Sequence, residues 1–342
     1  MFKTDKYKMA FFVLICLFFS VSFVMLPRIA IPFGVAYVLA LMLRPIQRML
    51  YSVEVKKKFL AIIMVVGSTF LFSYPIVQGV KTITEESYKM EYYLPKLETY
   101  LRQKYALLKY EVKERFNYEI EMNPVDKIVE FGQENTRSIF VFLPKIIGSI
   151  LEWGLIIPLF LFFILRDERK VRFQLMKIIP NNIVERMYYL YHSFNTKFGD
   201  YIFAKFIEAT IVGTIITTGL LLLGYPFAFL LGLLAALTNI LPYVGPIFGF
   251  IPALVIGLVD QNPNTTLGAM TLLYLIANII DLALVFPLLV SKIVNLHPII
   301  VVVSVILGSQ FGGVVGMIVS IPLAAFVKLL IQEAYIELYG RA

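Results

Sequence analysis

The chain has 342 residues, of which 59% are hydrophobic and 16% charged, with a mean hydropathy of +0.80. That charge content excludes an ordinary soluble domain, in which about a quarter of residues are charged. The net charge of +8 does not read as a nucleic-acid surface, because the basic residues gather in loops beside apolar segments, where positive charge fixes membrane orientation.

An all-α polytopic membrane protein is therefore expected, with about eight membrane helices plus Gly/Pro-broken or re-entrant segments. Residues 59–80 and 209–259 contain no charged side chain, and both runs exceed the about 20 residues that cross hydrocarbon as helix. The first apolar segment, 9–26, follows Lys3, Lys6 and Lys8. It lacks a small-x-small cleavage site and a second apolar segment, 29–43, follows at once, so it reads as a retained helix. The single cysteine, Cys16, lies inside it, which leaves no disulfide framework and no thiolate metal site.

The loop 44–58 carries Arg44, Arg48, Lys56, Lys57 and Lys58 against Glu54. Residues 166–205 also have an excess of basic side chains, whereas acidic and basic residues nearly balance over 81–137. The first two regions are assigned to the cytoplasm and the third to the opposite side, with both chain termini cytoplasmic. The expected organisation is N-terminal membrane helices (1–80), an extracytoplasmic amphipathic helical region (81–138), a membrane helix (139–165), a cytoplasmic or interfacial helical segment (166–205) and a transport domain with broken helices (206–342).

Within the extracytoplasmic region, Leu97, Leu101, Tyr105, Leu108, Val112 and Phe116 recur at helical spacing. Pro95 suits the first turn of that helix, and Asn123-Pro124 reads as the N-cap and first residue of another. Tyrosines crowd this stretch, which fits a helical hairpin lying against the outer bilayer surface; a partner-binding or pore-covering domain is the functional alternative. After RDERK at 166–170, Pro180, Asn181 and Asn182 break the chain before an aromatic-rich helix holding Tyr188, Tyr189, Tyr191 and Phe194. His192 there has no second ligand at metal spacing.

Two arrangements in the second half follow one plan. Each runs from a membrane helix through a Pro-containing turn (GYP with Pro226, LHP with Pro298) to a short apolar piece, then Gly-x-x-Gly and a further proline, Pro252 or Pro322. They start on opposite sides of the bilayer, which makes them a candidate inverted repeat. Bare backbone groups cannot face lipid, so interruptions at Pro242, Gly245, Pro246 and Gly249 point to protein interior or a hydrated path. Asn239 and Gln310 offer amides to that path, and Gly312 and Gly316 occupy the matching place in the second copy. Tight interfacial turns with small residues packing helices are the competing explanation.

Asp281, with Asn278 on the same helix face, is the leading proton or cation site, since a carboxylate at membrane depth usually faces a cavity or a partner. Lys205 and Glu208, spaced i, i+3, can couple as a pair or snorkel at the inner boundary. His297 in the LHP turn can titrate or simply bond its loop. Nothing in the sequence resembles a nucleophile-base set, a phosphate loop or a metal-ligand cluster, so neither an enzyme nor a cofactor is expected.

FFILRDERK (162–170), LLLGYPFAFLLGLLAALTNILPYVGPIFGFIPAL (221–254) and NLHPIIVVVSVILGSQFGGVVGMIVSIPLAAFVKLL (295–330) together resemble the autoinducer-2 exporter family of bacterial membrane proteins. The resemblance implies export of a small polar molecule such as autoinducer-2, or sodium-proton antiport as in some members. It further implies the bacterial inner membrane and a homo-oligomer, with a pentamer as one candidate. Members often carry Gly-Gln where this chain has Ala204 and Lys205, and an apolar residue where it has Glu208. Three functions therefore stand at this point: a solute exporter driven by an ion gradient or the solute's own gradient, a cation-proton antiporter, and a non-transporting membrane scaffold.

Overall fold

A computed structural model describes residue 14 and residues 25–50, 57–118, 123–179, 184–241, 245–259, 267–290 and 296–340. Among these residues there is no strand. The helices are α1 (Pro27–Leu50), α2 (Lys57–Phe116), α3 (Pro124–Ile178), α4 (Val184–Leu222), α5 (Ala228–Asn239), α6 (Gly245–Val259), α7 (Leu267–Leu289) and α8 (Pro298–Tyr339). Among the described residues, four stretches are long and apolar enough to cross a membrane: Ile29–Leu50, Phe59–Thr82, Val184–Leu222 and Leu267–Leu289. The chain is an all-α polytopic membrane protein.

Two helices run further than their sequence patterns predict. α2 continues for 60 residues through Pro75 and Pro95, so the amphipathic run does not begin a new helix at Pro95. It extends the membrane helix by many turns, for a total length of about 90 Å against a hydrocarbon core of about 30 Å. A proline removes only one donor, and the neighbouring intrahelical bonds carry the helix past it. α3 does begin at Pro124, where the Val125 N–H donates to Asn123 Oδ1 at 3.2 Å. Beyond the membrane segment, Arg102 joins Glu98 of its own helix to Asp126 of α3 at 3.0 and 2.9 Å. The bonds to Glu98 and then Asp126 raise the guanidinium pKa above its ordinary value.

The chain divides into two compact units. The first contains the described parts of Met1–Phe72, Glu152–Ile207 and Leu284–Ala342. Ala36 and Ala40 of α1 pack with Leu60 and Met64 of α2 and Leu161 and Leu165 of α3; alanines one turn apart let the helices approach closely. A polar seam lies beside this core. The Tyr37 hydroxyl donates to Asn195 Oδ1 at 2.6 Å, Arg44 pairs with Glu168 at 2.9 Å, and Arg48 pairs with Asp200 at 2.6 Å.

α8, also in this unit, reverses direction between its arms Ile299–Phe311 and Gly316–Gln332. Gly313 has φ +55°, and a methyl group on Gly308 would overlap the Gly316 carbonyl. Along a straight helix eight residues would separate those two positions by about 12 Å. The second arm continues through Pro322, so the expected break at Pro322 gives way to one at Gly313, the residue that adopts the left-handed backbone without steric cost.

The second unit holds Ser73–Leu151 and Glu208–Ala283. Its core joins Val212, Ile216 and Leu220 of α4 to Leu231 and Ala235 of α5, Ala253 of α6, and Met270 and Tyr274 of α7. Small residues set these spacings: methyl groups at Gly213 and Gly232 would overlap Ala236 and Thr217 respectively. Gly224 at φ +63° makes the GYP turn possible. Tyr225 of that turn donates to the Ala253 carbonyl at 2.6 Å, and Tyr93 of α2 packs edge-on to Phe227 at 5.7 Å.

α5 and α6 contain 12 and 15 residues, about 18 and 22 Å of helix, too little for either to cross the hydrocarbon core alone. They pack against each other through Gly245 and Gly249, whose added methyl groups would meet Thr238 and Ala235. Together they form a hairpin of two short apolar helices. α6 runs unbroken through Pro252, which corrects the expected break there; the loss of one bond to the Phe248 carbonyl does not end the helix.

Candidate functional site

The second unit holds a half-open cavity of about 250 Å³ between α4, the α5–α6 hairpin and α7. Its polar wall comes from α7. Tyr274, Asn278 and Asp281 follow one another at spacings of four and three, which stacks them on one helix face. At Asp281 the α-helix gives way to a π-helical turn, Asp281–Val285, a local widening found frequently at functional sites. Facing it is Asn239, the last residue of α5, whose Nδ2 donates to Asp281 Oδ2 at 3.5 Å. Asn239 and Asp281 are 4% and 5% exposed.

The remaining wall is apolar. Val212 and Ile216 come from α4, Phe250 from α6, and exposed Ile247 and Leu275 also line the cavity. The Phe250 and Tyr274 rings meet edge to face at 5.4 Å. Tyr274 is buried, and its hydroxyl has no hydrogen-bond partner among the described residues. Thr271, one turn earlier, donates to the Leu267 carbonyl. Ser and Thr hydroxyls elsewhere do likewise: Thr214, Thr217, Ser304 and Ser320 each bond a carbonyl three or four residues back in their own helix. Against that pattern the Tyr274 hydroxyl stands out.

Of the residues singled out by sequence, Asn239, Pro246, Asn278 and Asp281 line this one cavity. Gly245 and Gly249 serve the hairpin contact behind it, and Pro246 is the second residue of α6, a position where a proline fits without breaking the helix. Pro226 lies in the turn between α4 and α5, and Pro298 opens α8. Pro242 falls outside the described residues.

Gln310, Gly312 and Gly316 belong to the first unit. Gln310 is exposed, Gly312 precedes the reversal of α8, and Gly316 lines a groove of about 760 Å³ along that helix hairpin.

Lys205 and Glu208 are 3% and 1% exposed, so neither snorkels to water. Lys205 Nζ stands 5.9 Å from the centre of the Phe286 ring, within cation-π range. Glu208 lies one turn before Val212 on α4, on the same helix face. His297 is exposed and accepts a hydrogen bond at Nδ1 from the Ile299 N–H at 3.3 Å, which caps α8.

Sequence reasoning missed Tyr274 and Phe250. The signal for Tyr274 was present, since it precedes Asn278 by four and Asp281 by seven, two turns up the same face. No local signal marks Phe250, because only the hairpin brings α6 to α7.

Buried polar groups at a helix discontinuity, beside a hairpin of two short apolar helices, fit the class of polytopic membrane proteins built for transport. The chain belongs to the AI-2E family of transporters, whose family model matches residues 11–336. Among its relatives, YueF of Bacillus subtilis (strain 168), by name a candidate transport protein, is 30% identical over 59% of this chain and 55% of YueF. YrrI of the same organism, named likewise, is 26% identical over 54% of this chain and 52% of its own. PerM of Escherichia coli (strain K12), by name a candidate permease, is 25% identical over 60% of this chain and 61% of its own. The chain thus spans a little over half the length of these relatives. Family and relatives together support a membrane-transport role.

Proposed function

We propose that this chain is a secondary transporter that exports a small polar solute across the bacterial inner membrane, with the cavity at Asp281 as its solute and coupling site. The observation that carries the reading is the meeting of Asn239 and Asp281 at the junction of the hairpin and the π-helical turn. A carboxylate in that position exchanges a proton or cation as the surrounding helices rearrange, and a single proton crossing 100 mV releases about 2.3 kcal/mol, enough for more than a tenfold solute gradient. The α5–α6 hairpin and the reversed α8, each with glycines at its close contacts, favour the inverted-repeat plan. The basic loops favour cytoplasmic termini, and the family resemblance favours a homo-oligomer.

Flux through proteoliposomes tests this. Vesicles carrying the full chain are loaded with a panel of small solutes that includes autoinducer-2, a neutral alcohol and a small amine. At least one solute should leave faster than from empty vesicles, and Asp281→Asn should slow that release by about tenfold or more. Cation-dependent proton movement without solute release would replace this reading with a cation-proton antiporter. If neither flux exceeds empty vesicles while residues 81–138 capture a specific protein, the scaffold reading takes its place.

A further inference from the structure

The cavity walls differ too much in character to suit every small polar solute, and their chemistry narrows the class. Asp281 is the one acid among the described residues lining the cavity, and no lysine, arginine or histidine is among them. An anion entering there would lose its hydration next to the Asp281 carboxylate, and none of the described lining side chains is basic to offset that. A polyhydroxylated neutral molecule fares little better. Its hydroxyls would point in several directions, and most of the lining, including Val212, Ile216, Ile247 and Leu275, can accept or donate nothing.

A ligand with one charged head and an apolar body matches both walls. Asp281 and the Asn278 amide oxygen can accept from an ammonium, and the Tyr274 hydroxyl, which lacks a partner among the described residues, supplies a further acceptor on the same helix face. The Phe250 and Tyr274 rings, 5.4 Å apart, add electron-rich faces that attract a cation and apolar area for its body. Size agrees as well: an apolar cavity of about 150 Å³ takes benzene, so about 250 Å³ leaves room for a ring with an aminomethyl group.

The geometry points to a small organic ammonium, a primary amine on an aromatic or short aliphatic body, as the ligand class of this cavity, with Tyr274 as a binding residue alongside Asp281. This rests on the cavity being the solute site of the transporter proposed above.

Three probes share one ring and differ only in the charge of the head: benzylamine, benzyl alcohol and benzoate. Their binding to the full-length protein in lipid nanodiscs is measured by equilibrium dialysis, with binding to empty nanodiscs subtracted. Benzylamine should bind about tenfold or more tighter than benzyl alcohol, and benzoate weakest. Asp281→Asn should bring the amine down to the level of the alcohol. Tyr274→Phe, which removes one oxygen and keeps the ring, should weaken the amine by about threefold or more while leaving benzyl alcohol less affected.

Equal binding of amine and alcohol by the wild type, or benzoate as the tightest ligand, would overturn the assignment. So would an amine preference that survives Asp281→Asn. If Asp281→Asn does not fold, Tyr274→Phe decides: unchanged amine affinity sinks the proposal. The flux assay keeps the two readings apart. Asp281-dependent release of autoinducer-2 with no amine binding would leave the transporter standing and remove the ligand class. Amine binding of the expected pattern without any flux would do the reverse.

Discussion

Tyr225 illustrates how a single side chain holds a membrane turn in place. Its hydroxyl reaches the Ala253 carbonyl at 2.6 Å in a buried setting, in the space left where Gly257 has no side chain. The bond couples the GYP turn to the middle of α6, and so to the wall of the cavity that Phe250 forms one turn earlier. Tyr225→Phe keeps the ring and removes the donor. The expected cost is about 1 kcal/mol, read as a lowered thermal midpoint for the detergent-solubilised protein; an unchanged midpoint would show that the turn is held by packing alone. Asp281 and Asn239 depend on the same arrangement, since neither is near the other in sequence and each is brought to the cavity by its own helix.

Helix boundaries depend on more than the residue types that usually mark them. Pro252 and Pro322 sit inside continuous helices, whereas α8 turns back at Gly313. The contrast predicts opposite responses to substitution. Pro252→Ala restores a donor for the Phe248 carbonyl and should leave helix content unchanged by circular dichroism. Gly308→Val places atoms against the Gly316 carbonyl, a backbone group that cannot step aside, and should destabilise the α8 hairpin by about 1–3 kcal/mol or more. The two would exchange roles if Pro252 were the true hinge.

At the start of α3 the conventional signal is reliable, because Asn123 caps Val125 directly. Asn123→Ala should cost about 1 kcal/mol and speed hydrogen exchange at the amides of 125–127. No change there would assign the helix start to Pro124 alone.

The first unit gathers its charges into a seam, with Arg44 on Glu168 and Arg48 on Asp200. These pairs join α1 to α3 and α4 across more than a hundred residues of sequence. Arg44 is 14% exposed and Glu168 26%, so their interaction is sheltered compared with surface ion pairs, which are worth about 0–1 kcal/mol. A double-mutant cycle with Arg44→Ala and Glu168→Ala should therefore give a coupling of about 1 kcal/mol or more. A coupling near zero would mean that α1 is held to its neighbours by the Ala36, Ala40 and Leu161 core alone. In the second unit the apolar stretches 208–259 and 267–283 carry only Glu208 and Asp281 as charged side chains, and they close around small residues and a largely apolar cavity, which suits an element that must accept and release a solute.

Length, composition and periodicity by themselves determined a helical membrane protein, the cap at Asn123, and Asp281 with Asn278 on one face, because hydropathy and the helical repeat are properties of neighbouring residues. The bilayer penalty on a buried carboxylate is equally local, so Asp281 stood out before any contact was known. Only the tertiary structure decided which interruptions are real. A proline ends a helix or not according to what else satisfies the freed carbonyl, and a glycine reads the same whether it makes a turn, as Gly313 does, or a contact, as Gly249 does. Tyr274 and Phe250 became a site only when α6 and α7, separated by a loop in the chain, closed on the same space.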